Sequence, residues 1–303
     1  MATIEEDIRS TPEILRRTHE RVAGRRAALG VPLEGPLVLL GCGSSYCAAL
    51  AAAAVYEKER QAPAQAIIAS DYLPRPGWTH VAISRTGKTT ELVEAMERAR
   101  AVGARVLLLV GEEGSPAALV ADAVLPLEFA VEEGVIQTRF VCAAITALQA
   151  LIGGETNHAA ILALPDRLER GLAAFDPSPL LRFDHVVFLG RGPSYGLARA
   201  AAVNLQETAL LVPEAHQTLD YRHGPIATAD ERTLVWSLDA PGDGESAAVL
   251  DDVRRTGATI YAAVDDPLIA LAQAQLTALH KAHVRGIDPA APRHLARAVV
   301  RGR

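Results

Sequence analysis

Aromatic residues are scarce in this sequence: Phe, Trp and Tyr make up 4% of its 303 residues, although half of the residues are hydrophobic. A core must therefore be built from Ala, Leu, Val and Ile, a composition suited to alternating helices and strands. Cysteine is also rare. Cys42, Cys47 and Cys142 are odd in number and have no paired spacing, which argues against a disulfide framework or a zinc site and leaves reduced, packed thiols. No apolar run approaches ~18 uninterrupted residues, and the opening MATIEEDIRS carries acids rather than a basic region followed by an apolar stretch. A soluble, cytoplasmic protein is expected. Positive charge is in deficit too. With a net charge of -6 and no basic stripe, a nucleic acid is not an expected partner, because its phosphates call for a basic surface.

What the chain does contain is a repeat. VLLGCGSSYCAALAA at 38–52 returns as VFLGRGPSYGLARAA at 187–201. Gly41, Gly43, Ser45 and Tyr46 answer to Gly190, Gly192, Ser194 and Tyr195, each 149 residues further on. Each copy reads as an apolar strand, a glycine turn bearing a serine, and an alanine-rich helix, a unit that aims backbone N–H groups at an anion. Repeats decide the architecture before local features do, so two similar lobes are expected, each within the ~100–200 residues of an ordinary domain.

The helical pattern over 4–28, with Pro12 opening a second helix, predicts an N-terminal arm (1–30) lying outside the first lobe. The first lobe (31–175) has apolar runs at 37–40, 64–69, 80–84, 105–110 and 123–127, separated mostly by amphipathic patterns. These predict a five-stranded parallel sheet covered on both faces. Helical segments at 138–151 and 158–174 lead to the proline-rich turn FDPSP at 175–179, read as the boundary. The second lobe (180–287) has strands at 185–189, 233–238 and 259–264 and helices at 195–211, 245–256 and 267–284. Its sheet is expected to be one strand short. The tail (288–303) begins as a loop and is expected to end in a short basic helix.

Three groups of residues are candidates for chemistry. Ser84, Arg85, Thr86, Gly87, Lys88 and Thr89 follow an apolar strand and open a helix, a place where hydroxyls and unpaired N–H groups suit a phosphate. Ser44 and Ser45 lie at the equivalent end of another strand, so two serine-rich turns can close on one anion at the carboxyl edge of the sheet. The same hydroxyls also fit ordinary helix caps. AISRTGKT at 82–89 is one glycine short of a P-loop, with Ala82 at the missing position, which leaves a nucleotide enzyme as a remote alternative. The second candidate is Glu207, with Asn204 one turn earlier, in an alanine- and leucine-rich helix; burial there suits a general base, and a solvated helix glutamate is the plain alternative. The third is His223, in the polar turn DYRHGP, able to move protons near neutrality or simply satisfied by its loop. His280 and His283 share a helix face without a third ligand, so no metal site is assigned.

With these segments in view, the chain resembles the sugar isomerase (SIS) domain family, in particular the isomerase half of glucosamine-6-phosphate synthase. GCGSSY, SRTGKTTE, EEGVIQTR, GRGPSY, NLQE, YRHGPIA and DPAAPRHLARAV match that family's segments in order, almost end to end. The resemblance implies an α/β fold of two flavodoxin-like, doubly wound lobes, usually assembled as a homodimer with the site near the subunit interface. It implies a sugar phosphate as the small-molecule partner, with no metal or redox cofactor. Ser45, Ser84, Arg85, Thr86 and Thr89 would hold the phosphate, with Ser44, Val135 and Arg297 at the site. Glu207 would carry a proton between C1 and C2 of the open-chain sugar, and His223, from a neighbouring subunit, would assist ring opening. The implied activity is a phosphosugar isomerase or an aminosugar-6-phosphate deaminase, with a non-catalytic phosphosugar sensor as the alternative. No glutaminase segment or second-position cysteine is present, so glutamine-derived ammonia is not expected here. Asn204, Arg139 and Arg297 stand where the family has lysines, and Lys88 where it has a glutamate. Arginine holds its proton too firmly for ready imine formation, so this chemistry is not expected from those positions.

Overall fold

The computed structural model describes residues 3–153 and 155–301. Two short helices, α1 (Ile4–Arg9) and α2 (Thr11–Arg25), precede the first sheet. The chain then runs β1 (Leu37–Gly41), α3 (Ser44–Arg60), β2 (Ala64–Ile68), β3 (Thr79–Ser84), α4 (Thr90–Ala101), β4 (Val106–Val110), α5 (Pro116–Val120) and β5 (Ala123–Pro126). The five strands are all parallel, in the order β2-β1-β3-β4-β5. Every residue of β1 and of β4 is buried, as expected of strands covered on both faces.

Helices α6 (Arg139–Ile152) and α7 (Glu155–Ala173) lead to the second lobe: β6 (His185–Gly190), α8 (Pro193–Ala209), β7 (Glu214–Gln217), β8 (Thr233–Ser237), α9 (Gly244–Arg255), β9 (Thr259–Ala262) and α10 (Pro267–Val284). Its parallel sheet runs β7-β6-β8-β9, the first order again with its last strand missing. Among the described residues the second sheet is therefore one strand short of the first, as expected. Strand β7 was not anticipated, because EAHQ offers a single apolar residue and the strand exists through its backbone pairing with β6.

The repeat holds at the level of backbone angles. Gly43 and Gly192, the residues before α3 and α8, have φ/ψ of 53/-128 and 54/-123. Both helices are 17 residues long and end on a non-glycine residue in the left-handed region, Gln61 (φ 52) and Leu210 (φ 53). At Gly41 and Gly190 the following helix passes so close that an added Cβ would lie 2.6 Å or less from backbone atoms of Ser45 or Ser194.

Helices α3 and α8 pack against each other between the sheets. A Cβ on Gly196 would sit 2.4 Å from the Ala51 nitrogen and 2.6 Å from the Cys47 carbonyl oxygen, so the two backbones are in direct contact. This approach explains the alanine content: larger side chains would push the twin helices apart. One continuous apolar cluster spans this layer and draws on both sheets, while separate clusters lie beneath α4 and α9 on the outer faces. The N-terminal arm lies beside the sheet but contributes to the core: Ile14, Leu15 and Val22 of α2 join the central cluster, and Ile8 of α1 packs on Leu276 and Leu279 of α10.

The basic helix expected in the tail is not formed among the described residues. His294 adopts φ 62, which breaks a right-handed helix, and the tail's polar groups are engaged elsewhere. Thr90 N donates to Val299 O (3.2 Å), and Arg301 N donates to the Thr90 hydroxyl (3.0 Å). The tail thus crosses the first turn of α4.

Candidate active site

The chain leaves β1 toward β2 on one side and returns to β3 on the other, so the carboxyl ends of β1 and β3 flank a topological switch point, where open α/β sheets bind ligands. After β1, Gly41 and Gly43 turn the backbone directly into α3. After β3, Gly87 (φ 61) returns the chain toward α4; an added Cβ there would lie 2.0 Å from the Ser115 hydroxyl oxygen. Between the two turns lies a cavity of about 40 Å³ lined by Cys42, Ser45, Ile83, Ser84, Arg85, Thr86, Thr89, Leu92, Gln137 and Arg297. That volume is room for roughly three water-sized groups, the scale of a phosphoryl group rather than of a whole hexose.

The hydroxyls around it are prepared to donate. Ser84 Oγ accepts from Gly87 N (2.9 Å) and Thr86 Oγ1 accepts from Lys88 N (3.3 Å); each acceptor role leaves the O–H free. The Ser45 hydroxyl has no protein partner among the described residues, its amide donating to Cys42 O (3.1 Å), and Thr89 precedes α4 without making a side-chain cap. Ser44, the first residue of α3, is buried beside this turn but does not line the cavity.

Arg85 is placed differently from the simple expectation of a phosphate clamp. Its guanidinium forms a buried ion pair with Glu132 (3.3 Å) and donates to the carbonyls of Gly134 (3.1 Å), Val135 (2.7 Å) and Ile136 (3.4 Å). The Glu132 carboxylate in turn accepts from Thr138 N (2.7 Å) and Phe140 N (2.8 Å), satisfying donors at the start of α6. Burial pushes the pKa of the Arg85 guanidinium below its ordinary value, and Glu132 opposes that shift. Arg85 therefore lines the cavity while folding the 132–138 loop around its own head group; Val135 meets it through a carbonyl and does not line the cavity. Glu132 and Gln137 were not singled out from the sequence. Both lie in EEGVIQTR, where only Val135 and Arg139 were named, and nothing local marks Glu132 as the partner of an arginine 47 residues away.

The same loop is tied to the second lobe. Asn204 Nδ2 of α8 donates to Gln137 O (3.0 Å), and Gln275 Nε2 of α10 donates to Thr138 O (3.2 Å). Glu207 lies one turn beyond Asn204. It is half-buried, has no hydrogen bond or ion pair among the described residues, and its carboxyl is pushed up to about 7, chiefly by burial, with the charge of Arg85 opposing. Glu207 does not line the small cavity itself.

Other candidates fall elsewhere. His223 is exposed in a short 3-10 turn (Asp220–His223) of the second lobe and does not reach the cavity within this chain. Arg297 brings the tail to the cavity mouth, donating to Glu133 O (2.7 Å) and lying 3.6 Å from Glu112. Arg139 faces the N-terminal arm, paired with Asp7 (3.0 Å) and donating to Ser10 Oγ and Val131 O. Lys88 is exposed and paired with Glu112 at 2.5 Å. Ala82 is a fully buried strand residue paired with Leu40 and Leu108, so the geometry offers no P-loop. The rings of His280 and His283 are 6.4 Å apart, and no cluster of three or more His, Cys, Asp or Glu among the described residues is placed to hold a metal. No helix among them is long and apolar enough to cross a membrane.

Comparison with known proteins gives the same architecture. The SIS domain model matches twice, at residues 34–153 and 180–291. A glutamine–fructose-6-phosphate aminotransferase [isomerizing] from Zymomonas mobilis is 26% identical over 87% of this chain and 51% of its own length; the chain spans about half the length of the curated relatives it matches. A crystal structure of glucosamine-6-phosphate deaminase from Thermotoga maritima superposes with a TM-score of 0.81 at 26% identity, covering 99% of this chain and 100% of that one. The C-terminal domain of glucosamine-fructose-6-phosphate aminotransferase from Francisella tularensis shares the fold, with a TM-score of 0.81 at 19% identity and coverage of 94% and 96%.

Proposed function

The chain belongs to the SIS domain family, and from that premise we propose that it acts on hexose 6-phosphates as an aldose–ketose isomerase or an aminosugar-6-phosphate deaminase. The observation that carries the reading is the pairing of a phosphate-sized, hydroxyl-lined cavity with an unpaired, half-buried carboxyl whose acidity is set near neutrality. The named activities of the deaminase and aminotransferase relatives, both on six-carbon sugar phosphates, support it.

In this reading Ser45, Ser84, Thr86 and Thr89, with the N-termini of α3 and α4, hold the phosphate dianion. The sugar carbons extend out of the cavity, and binding energy from the remote phosphate orients them at Glu207. The Glu207 carboxylate removes the proton from C2 of an aldose; the C–H electron pair becomes the C1=C2 bond of an enediol as O1 gains a proton. The same carboxyl then returns its proton to C1 as the O2–H proton leaves and C2=O forms, so the ketose is completed with a net transfer of one proton from C2 to C1 and one from O2 to O1. A group that titrates near 7 is matched to both halves of this exchange. The protein works as a homodimer in which His223 of one copy serves ring opening at the site of the other.

A second reading, a phosphosugar sensor without turnover, is favoured by Arg139 and Asn204, which stand at lysine positions and are bound to scaffold groups. Incubation with fructose 6-phosphate, glucosamine 6-phosphate and their unphosphorylated sugars, without glutamine, separates the two. Isomer formation or ammonia release that requires the 6-phosphate supports the enzyme, whereas saturable binding with no conversion of any ester supports the sensor.

A further inference from the structure

The duplicated fold contains a second crevice at its own switch point, between β6 and β8. Leu40 pairs with Ala82 in the first sheet, and its repeat counterpart Leu189 pairs with Ser237 in the second. Two residues further on, Ser84 and Asp239 therefore hold equivalent places. Where the first lobe has a hydroxyl facing an open cavity, the second has a buried carboxylate, 7% exposed.

That carboxylate is bound as an incoming anion would be. Its Oδ1 accepts from Arg191 N (2.6 Å), the backbone amide of the second glycine turn. Its Oδ2 accepts from the hydroxyl of Thr218 (2.6 Å), a fully buried residue just beyond β7. Asp239 N donates to Ser237 Oγ (3.4 Å), fixing the loop that presents it. Above the turn, the Arg191 guanidinium reaches out to Asp243 (3.5 Å) and Glu245. Pro193, at the place of Ser44, removes one N–H and one hydroxyl from the start of α8.

We propose that Asp239 is a built-in anion that occupies the second crevice in place of a phosphate, so that only one of the two duplicated crevices accepts a phosphosugar. It is a specificity residue of an unusual kind, acting by like-charge exclusion and by engaging the donors that a ligand would need. The glycine turns of the two lobes keep nearly the same backbone angles at Gly43 and Gly192, so the second crevice differs from the first in its side chains rather than in the turn. The proposal rests on the reading that the first crevice holds phosphate, but its test does not depend on that reading.

The test is the number of inorganic phosphate ions bound per chain, measured by isothermal titration for the wild-type protein, Asp239→Ser, and Ser84→Ala/Thr86→Ala. Asp239→Ser is expected to bind one more phosphate than the wild type, and phosphate is expected to raise its Tm more than that of the wild type. Should Asp239→Ser fail to fold in phosphate-free buffer, refolding in phosphate is expected to recover it. No added equivalent, no larger Tm shift, or misfolding that phosphate does not relieve each overturns the proposal. A wild type that binds none while Asp239→Ser binds one supports the proposal and removes the first-crevice reading. Loss of the wild-type equivalent in Ser84→Ala/Thr86→Ala supports the first-crevice reading on its own.

Discussion

The Arg85 guanidinium lies 3.3 Å from the Glu132 carboxylate, with the two side chains 2% and 1% exposed. This pair stands between the two halves of the candidate site: Arg85 lines the cavity, and the loop it gathers is bound by Asn204, one turn from Glu207. Removing one partner leaves the other charge buried alone, at a cost of about 3–5 kcal/mol. Glu132→Ala is therefore expected to lower the unfolding midpoint in urea strongly. Glu132→Gln, which can still accept from Thr138 N and Phe140 N, should fall between. A Glu132→Ala protein as stable as the wild type would contradict the assignment.

Glu207 predicts opposite effects on activity and on stability. Its raised pKa means that the folded state holds a proton that the unfolded chain has released between about pH 4.5 and 7. Stability is then lost as pH rises through this window, and the full penalty is present above 7. Glu207→Gln removes the penalty, so it should stabilise the protein by about 1–3 kcal/mol at pH 8, with the gain shrinking to nothing near pH 4. Turnover of the same variant should fall by about 10²–10⁴. Thermal unfolding at the two pH values, beside activity, checks both signs.

Hydroxyls that hold a phosphate act through binding. Ser84→Ala and Thr86→Ala are each expected to reduce kcat/KM by about 10- to 100-fold, the scale of one hydrogen bond to a charged group. Turnover of the unphosphorylated sugar, expected to be slow in the wild type, should be unaffected. Equal losses on both sugars would remove the phosphate from this cavity.

Gly41→Ala tests the turn itself. The added Cβ would meet the Ser45 carbonyl carbon and the Tyr46 nitrogen at 2.6 Å, and backbone atoms at a helix start cannot yield cheaply. Loss of folded protein or of phosphate binding is expected. Gly24→Ala, in helix α2 with nothing within 4 Å of the new carbon, should be stabilising by about 0.5–1 kcal/mol and serves as the control for the assay.

The sequence made some of this legible for clear physical reasons. Strands buried on both faces read as unbroken apolar runs such as Leu37–Leu40, and the glycines at 41, 43, 190 and 192 mark the turns into α3 and α8, so the doubled lobe and its glycine turns were visible. Strand β7 was not, because an edge strand with the sequence EAHQ has one apolar residue and so no apolar run or alternation. The tail helix was expected from composition, but His294 and the first turn of α4 decide its course. Glu132 and Asp239 were hidden for a different reason. Each looks like an ordinary acid in its own segment, and each acquires its role from residues 20 or more positions away: Arg85 for Glu132, Arg191 and Thr218 for Asp239.

The proposed reaction has Glu207 move a proton on a sugar whose phosphate sits at Ser45, Ser84 and Thr86. It is tested most directly by incubating the protein with hexose 6-phosphates in heavy water and following deuterium entry at C2 by NMR. Exchange is expected for the wild type with at least one 6-phosphate, and its loss is expected in Glu207→Gln while phosphate binding is kept. Exchange that persists undiminished in Glu207→Gln would contradict the proposed reaction.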